Sequence, residues 1–361
     1  MKEDQNLQKP SSWFATTATG LEPVLKSELL THGINGVITK GGVEFIAHLG
    51  IGLNICHRLR SPSRIWLRLA KGPCMRVGQI GDIIRSANLK RLLKPQTPLT
   101  IKISSKSSRL HRRDIVLQKA TRVCKGELQG ENPEFRHQFL HLRILDDEGE
   151  LSIDVAGRLL HKRGWREQQG KASLRENWAA NLLLMAGWSP EEPLLDPFCG
   201  SGTIPIEAGR MALGLSPHTD LDFAYLDWKV GPNHIASSPA HPWKSSIWGC
   251  DKHAPSLAKA QHNATMASVP ITFRHLDIAE NRAPTTTGLM IANPPYGIRL
   301  GKRVEGLYTR WGETISTHFP SWRGIFLSPN RSLAKRVSSN VVQLTAFENG
   351  GLRVGVWIWE A

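Results

Sequence analysis

The chain has 361 residues, 40 % of them hydrophobic and 21 % charged, a balance ordinary for a soluble globular protein with room for two or three domains. No stretch reaches the roughly 18 consecutive apolar residues of a membrane span, and the polar segment 1–9 lacks the apolar core of a signal peptide. Five scattered cysteines, at 56, 74, 124, 199 and 250, with no Cys-x-x-Cys, argue against a disulfide framework or a zinc site. No metal is therefore expected, and a reducing cytoplasm fits best. The net charge of +15 is unevenly spread: residues 1–130 hold 22 Lys and Arg against 8 Asp and Glu, whereas residues 131–361 hold 24 against 23. A basic third beside a neutral remainder marks a module for a polyanion, nucleic acid before any other.

In chain order, Trp13 to Thr17 reads as a strand, and Gly20-Leu21-Glu22-Pro23 opens a helix with Leu21, Val24, Leu25 and Leu29 at helical spacing. Gly41 to Ile46 reads as a turn and strand, and Ile65 to Leu69 as a half-exposed strand, giving a β-α-β-β unit over residues 12–70. A second small α+β unit, residues 71–156, holds a strand at Leu99 to Ser104 and a helix from Asp114 to about Leu128. A hairpin follows, with strands Phe139 to Leu145 and Leu151 to Val155 around an acidic turn. Lys106, Arg109, Arg112 and Arg113 mix with hydroxyls at the start of that helix, a place suited to phosphate oxygens. A solvated loop is the plainer reading of the same run.

His161-Lys162-Arg163-Gly164-Trp165-Arg166 links to Ser173-Leu174-Arg175-Glu176, whose Ser-x-x-Glu pattern predicts a capping box ahead of a helix that ends near Gly187. From Glu192 onward strands alternate with helices: 194–196, 247–251, 271–276, 288–292 and 324–328, then a closing pair at 341–347 and 352–359. The pattern predicts a mostly parallel sheet with one antiparallel strand. The segment 213–246 lengthens one connection, and its Asp227-Trp228 and His241-Pro242-Trp243 are expected to pack on the sheet or to form a lid.

In such a sheet ligands bind at the carboxyl ends of the strands. Asp196-Pro197-Phe198-Cys199-Gly200-Ser201-Gly202 ends one strand and leads into a helix, a turn that suits an anionic group. Pro205 stands where the dinucleotide fingerprint has its third glycine, and Gly-Lys-Ser/Thr is absent, which disfavours NAD and ATP. Asp251 and Asp277 end the next two strands. One can accept from both ribose hydroxyls and the other from an adenine amino group, although each alone also serves as a cap or turn former. Asn293-Pro294-Pro295-Tyr296 then ends the run Leu289 to Ala292. Its Asn oxygen and Pro294 carbonyl can accept both hydrogens of an exocyclic amine, and Tyr296 offers a face to a flipped base. As an isolated tetrapeptide it is equally a strand-ending turn. Cys199 reads as a small buried residue rather than a nucleophile.

Together these residues resemble a class I S-adenosylmethionine-dependent methyltransferase of the amino-methylating type. The chain as a whole resembles the THUMP-domain RNA guanine-N2 methyltransferases of the bacterial 23S rRNA or tRNA type. Carrying the resemblance are Phe14 to Glu22, Leu159 to Arg166, Leu194 to Gly202 and Asn293 to Leu300. It implies a Rossmann-like seven-stranded methyltransferase domain over residues 157–361, preceded by a ferredoxin-like domain over 12–70 and a THUMP domain over 71–156. It also implies S-adenosyl-L-methionine as cofactor. Asp196, Gly200 and Gly202 would line its methionine end, with Asp251 at the ribose, Asp277 at the adenine and Leu174 and Glu176 beside it. Asn293, Pro294 and Tyr296 would be catalytic. The family often has proline where this chain has Ser173. The expected reaction is methylation of a guanosine N2 in structured RNA, 23S rRNA before tRNA. A DNA adenine-N6 methyltransferase and a non-catalytic RNA-binding or assembly protein are the alternatives.

Overall fold

A computed structural model describes residues 10–170, 173–218, 223–230, 240–296, 302–349 and 351–360. The segment 1–9 and the motif extension Gly297-Ile298-Arg299-Leu300 lie outside the described residues, as do parts of the 213–246 insertion. Two compact units emerge, one drawn from Met1–Thr16, Leu29–Leu160 and Asp220–Ala236, the other from Thr17–Glu28, His161–Thr219 and Ser237–Ala361. Among the described residues no helix is long and apolar enough to cross a membrane.

The first unit is one seven-stranded sheet. Its strands are β1 (Pro10–Thr16), β2 (Gly36–Thr39), β3 (Gly42–His48), β4 (Arg64–Pro73), β5 (Leu99–Lys106), β6 (Gln138–Leu145) and β7 (Glu148–Asp154), in the order β2-β3-β1-β4-β7-β6-β5. The expected ferredoxin-like and THUMP segments share this sheet through the antiparallel β4–β7 pair. Asp146 and Asp147, at φ 51° and 63°, form the tight turn between β6 and β7, the left-handed geometry that matches the twist of a hairpin.

Three helices of this unit, at Leu49–Arg58, Val77–Ser86 and Leu89–Leu92, were not anticipated. The β-α-β-β reading of residues 12–70 omits α2 (Leu49–Arg58), which follows α1 (Glu22–Thr31), and also omits β2. Gly50 and Gly52 hide it, because glycine weakens any helical signal. Gly52 is needed there: a Cβ would run into the indole of Trp13, which is fully buried and donates from Nε1 to the Ala47 carbonyl at 3.0 Å. Further helices α3 (Val77–Ser86), α4 (Leu89–Leu92) and α5 (Arg113–Leu128) complete the unit.

Part of the insertion belongs to this first unit rather than to the second sheet. Asp227 accepts from Arg136 Nη1 at 2.8 Å and from the Arg136 backbone at 2.6 Å, and Trp228 Nε1 donates to Gln138 Oε1 at 2.9 Å. Trp243 does pack against the cores of the second unit.

The second unit begins with α6 (Glu176–Met185) and runs β8 (Leu194–Asp196), α7 (Thr203–Ala212), β9 (Ile247–Asp251), α8 (Ala254–Met266), β10 (Thr272–His275) and β11 (Gly288–Ala292). It continues with α9 (Lys302–His318), β12 (Trp322–Ser328), α10 (Arg331–Val337), β13 (Val342–Asn349) and β14 (Leu352–Trp359). The strand order is β10-β9-β8-β11-β12-β14-β13, and only β14 runs antiparallel to its neighbours. This is the Rossmann-like architecture of the methyltransferase fold. The all-buried β11, Gly288 to Ala292, shows why the central strands read as unbroken apolar runs: helices cover both faces. After β8 the chain builds outward to β9 and β10, then returns to lay β11 on the other side of β8. That reversal is the switch point at which α/β sheets bind ligands.

Candidate active site

Asp196 closes β8 and Asn293 follows β11, two strands paired in register at Met290 and Leu195. Between their ends opens a cleft of about 940 Å³. Its lining includes Leu174, Glu176, Asp196, Gly200, Asp251, Asp277, Asn293, Pro294 and Tyr296, nine of the ten residues expected there. Gly202 is the exception. It turns into α7 at φ 85°, and its missing Cβ faces the Ala260 methyl at 3.1 Å, so it serves the packing of α7 on α8. Gly200, at φ 55°, has no atom within 4 Å of where a Cβ would stand. Left-handed backbone excludes most side chains there, and the space above the turn stays open to a ligand.

The acidic strand tips differ in their surroundings. Asp196 is 1 % exposed and accepts from the Phe198 amide at 3.0 Å. Burial pushes its carboxyl well above the ordinary range, against that hydrogen bond and with the charge of Asp251 reinforcing the rise. Asp251 accepts from the Gly200 amide at 3.0 Å and the His253 amide at 2.9 Å, so the β9 tip and the glycine turn hold each other. Asp277 caps the short 3₁₀ turn Ile278–Glu280, its Oδ1 accepting from the Ala279 amide at 3.2 Å while Glu280 returns a bond to the Asp277 amide. Cys199 is buried, and burial followed by the charges of Asp196 and Asp251 drives its thiol far up, so it supplies no thiolate.

The Asn293 carbonyl oxygen Oδ1 is buried with no hydrogen-bond partner among the described residues. A buried acceptor left empty costs on the order of 1–3 kcal/mol, and such groups are rare enough to call for an explanation. Pro294 beside it is buried, and Tyr296 packs partly against the core.

The capping box expected at Ser173–Glu176 does not form. Arg175, not Ser173, is the N-cap of α6, without a side-chain cap bond. Ser173 Oγ instead accepts from the Gly170 amide at 2.9 Å and meets Ser201 Oγ at 3.0 Å, tying the domain entrance to the cofactor turn. Glu176 is drawn inward to Arg166, Nε to Oε1 at 3.3 Å, with side chains 7 % and 5 % exposed. Burial raises the Glu176 carboxyl while Arg166 opposes the rise.

Sequence reasoning missed three residues. Arg166 also donates through Nη2 to the Leu174 carbonyl at 2.8 Å and Thr203 Oγ1 at 2.6 Å, joining the entrance segment to the start of α7. Asn263, fully buried on α8, donates to the Gln168 carbonyl at 2.9 Å and the Ser201 carbonyl at 3.1 Å and accepts from the Gln168 amide at 3.1 Å. His161 lines the cleft, and burial together with the nearby Arg175 and other cations lowers its imidazole to about 4. The motif around Arg163 and Arg166 was noticed, but its partners lie 8 to 55 residues away and leave no local pattern.

The expected RNA contacts belong to the first unit and are all exposed. Two of the four are locally neutralised: Arg109 pairs with Asp147 at 3.3 Å and Arg112 with Asp114 at 2.8 Å. Lys106 and Arg113 form no ion pair among the described residues.

Residues 163–355 match the family of RMKL-like methyltransferase domains, and residues 12–70 match the RlmL ferredoxin-like domain. A Synechocystis sp. protein provisionally named RNA methyltransferase slr0064 is 29 % identical over 94 % of this chain and 94 % of its own. The ribosomal RNA large subunit methyltransferase K/L of Photobacterium profundum is 29 % identical over 95 % of this chain and 52 % of its own, and that of Methylococcus capsulatus 29 % over 96 % and 51 %. The chain thus spans about half the length of the K/L relatives. Among solved structures, SMU.472 in complex with SAH superposes with a TM-score of 0.87 at 24 % identity, covering 98 % of this chain and 99 % of that one. A predicted N6-adenine-specific DNA methylase from Listeria monocytogenes superposes at 0.88 and 25 % identity, covering 99 % and 98 %.

Proposed function

The chain belongs to the RMKL-like methyltransferase family, and on that premise we propose that it methylates the exocyclic N2 of a guanosine in structured RNA, 23S rRNA in the first instance. One observation carries the reading: Asn293 Oδ1, buried and without a donor among the described residues, stands at the end of β11 where the cofactor turn of β8 is its neighbour. An exocyclic amine supplies what that oxygen lacks.

S-adenosyl-L-methionine is the cofactor of this fold, and it brings a methyl group already activated on a sulfonium. The residues present fit it. The open space over Gly200 accommodates its methionine end, and Asp196, a buried carboxyl without an ion pair among the described residues, offers its cationic part a partner. Asp251, held by two amides, would accept from the ribose hydroxyls, and Asp277, its Oδ1 already engaged as a cap, would face the adenine. Leu174 and Glu176 shape the entrance. Glu176 acts through Arg166, so its role is positioning.

Asn293 Oδ1 and the Pro294 carbonyl receive the two N–H groups of the target amine. Both bonds strengthen as N2 gains positive charge during transfer, which is differential stabilisation of the transition state. Fixed carbonyls would also orient the N2 lone pair for transfer, so alignment supplies much of the rate, and N2 would then release one proton to solvent. Tyr296 provides a face for the extruded base. The chain's own residues bind, orient and exclude water, and no covalent enzyme intermediate is needed.

The basic first unit selects RNA, through Lys106, Arg109, Arg112 and Arg113 among others, and the site of action is the cytoplasm. The test is tritiated methyl transfer into total RNA and into DNA, followed by mapping of N2-methylguanosine in RNA from cells with and without the gene. Label in 23S rRNA at a guanosine that loses its mark without the gene is expected. Label in tRNA alone redirects the substrate, label in DNA alone overturns the RNA reading, and cofactor binding with no transfer leaves an assembly role.

A further inference from the structure

Strand alternation gives the first unit's sheet two unlike faces. Trp13, Ala15, Ile65, Leu67, Leu140, Leu142, Leu151 and Ile153 point to the buried side. The opposite positions hold rings and cations. Phe14 on β1 stands opposite Trp66 on β4, and Arg68, Ser152, His141 and Lys102 form a row of register partners across β4, β7, β6 and β5. The Trp66 and His141 rings lie 5.6 Å apart, and those of His137 and Phe139 5.0 Å apart. Phe14, Trp66, Phe139 and His141 are half-buried, and His137, Lys102 and Arg143 are exposed.

The charges on this face are sorted. Asp154 pairs with Arg64, which also lies over the Trp66 ring at 5.9 Å. Glu44 and Glu150 pair with Arg68 at 2.7 and 3.2 Å, and Arg68 lies over Phe14 at 5.3 Å. Asp154, Glu44 and Glu150 are thereby taken up by the inner arginines, and Glu148, on the same face of β7, by Lys71 at 2.6 Å. Lys102, Lys106 and Arg143, toward the β5 edge, form no ion pair among the described residues. Thr100 and Ser104 hold the His137 and His141 rings through hydrogen bonds of 2.7 and 2.8 Å, which fixes the rings in place.

We propose that this face is a stacking platform for an unpaired RNA strand, with bases on the Trp66–His141 and Phe139–His137 rings and phosphates on Lys102, Lys106 and Arg143. The inference rests on the chain acting on RNA and adds which part of the RNA is held. Rings fixed on a sheet and flanked by unpaired cations are the elements that single-strand binders combine, since every base has a face to stack. A duplex keeps its bases covered and gains nothing from the rings. Lys106 continues the row of β5 into the loop of Arg109 and Arg112, so the platform runs on from the phosphate contacts already assigned.

Binding to the full chain is measured by anisotropy with a labelled ten-nucleotide unpaired RNA and with a matched RNA duplex. Trp66→Leu keeps apolar cover and removes the stacking ring. It weakens single-strand binding roughly 5- to 100-fold, the worth of one stacked base, and leaves the duplex unchanged. Lys102→Glu with Arg143→Glu, both exposed and outside the core, lowers the salt slope for the single strand by about 1.4, two contacts at roughly 0.7 each. Cofactor-product binding and melting temperature serve as controls for folding. Wild-type single-strand affinity in both variants, or equal losses for strand and duplex, overturns the platform. If those variants also methylate RNA normally, the RNA assignment stands while the face returns to a protein partner. A wild-type chain that methylates DNA and binds no RNA removes the assignment itself.

Discussion

Replacing Asn293 with Ala separates a catalytic acceptor from a structural one, because a catalytic role moves activity alone whereas a structural role moves stability with it. Oδ1 makes no hydrogen bond among the described residues, so its removal takes away no hydrogen bond seen there. It relieves the desolvation of an unpaired buried carbonyl, about 1–3 kcal/mol, against which the lost packing of a small side chain is of similar size. The two offset, so the net change in stability is about zero and the melting temperature stays close to that of the wild type. Catalysis loses one of two carbonyls that meet the developing charge on N2. By comparison with single oxyanion-hole donors, that amounts to roughly 2.7–4 kcal/mol, or 10²- to 10³-fold in turnover. Single-turnover methyl transfer, calorimetric binding of the demethylated cofactor and thermal melting measure the three quantities on one preparation. Near-normal turnover refutes the role of Asn293. So does a fall of several degrees in melting temperature with a parallel loss of cofactor affinity, which would mark a structural residue.

Asp196→Asn should raise the stability of the free chain at neutral pH and weaken cofactor binding. A carboxyl whose folded pKa lies above its unfolded value contributes stability that is lost as pH rises through that pKa, so cofactor stabilisation of the wild type, read as a melting shift, should grow with pH over the same interval. Asn263→Ala should cost about 2–4 kcal/mol in urea unfolding, since it strands the Gln168 and Ser201 carbonyls and the Gln168 amide; a loss under 1 kcal/mol would show that water replaces it. Charge reversal at Lys106 and Arg113 should weaken RNA binding more than reversal at Arg109 and Arg112, which already face Asp147 and Asp114. Equal losses in the two pairs would mean that RNA displaces those acids.

What could be read in advance follows physical lines. β8, β9, β11 and β14 were bounded to the residue because a strand covered on both faces is an apolar run stopped by a turn former, and Asp196, Asp251 and Asn293 supply the stops. The helix α2 escaped because Gly52 is there for the Trp13 indole, a contact between residues 39 apart that overrides local propensity. Ser173-x-x-Glu176 satisfied the pattern of a capping box and failed as one because Arg166 competes for the glutamate from outside the helix. The pairing of Arg109 with Asp147 was equally invisible, since the parallel β5–β6 pairing brings them together across 38 residues. Composition located the basic unit, while register decided which of its cations remain unpaired.

The two central strand ends carry complementary deficits. Asp196 is a carboxyl too deeply buried to ionise readily, and it has no cation partner among the described residues. Asn293 Oδ1 is an acceptor in the same cleft, and it has no donor among them. Each deficit costs the free protein stability, and packing could have removed either with an apolar residue of similar size. A site that binds one neutral molecule would relieve only one of them. On the proposed function, a cationic methyl donor at β8 and a planar amine at β11 would relieve both, on adjacent strands joined at Leu195 and Met290. A transfer site would then differ from a binding pocket in that the two demands are met together only when donor and acceptor are present at once.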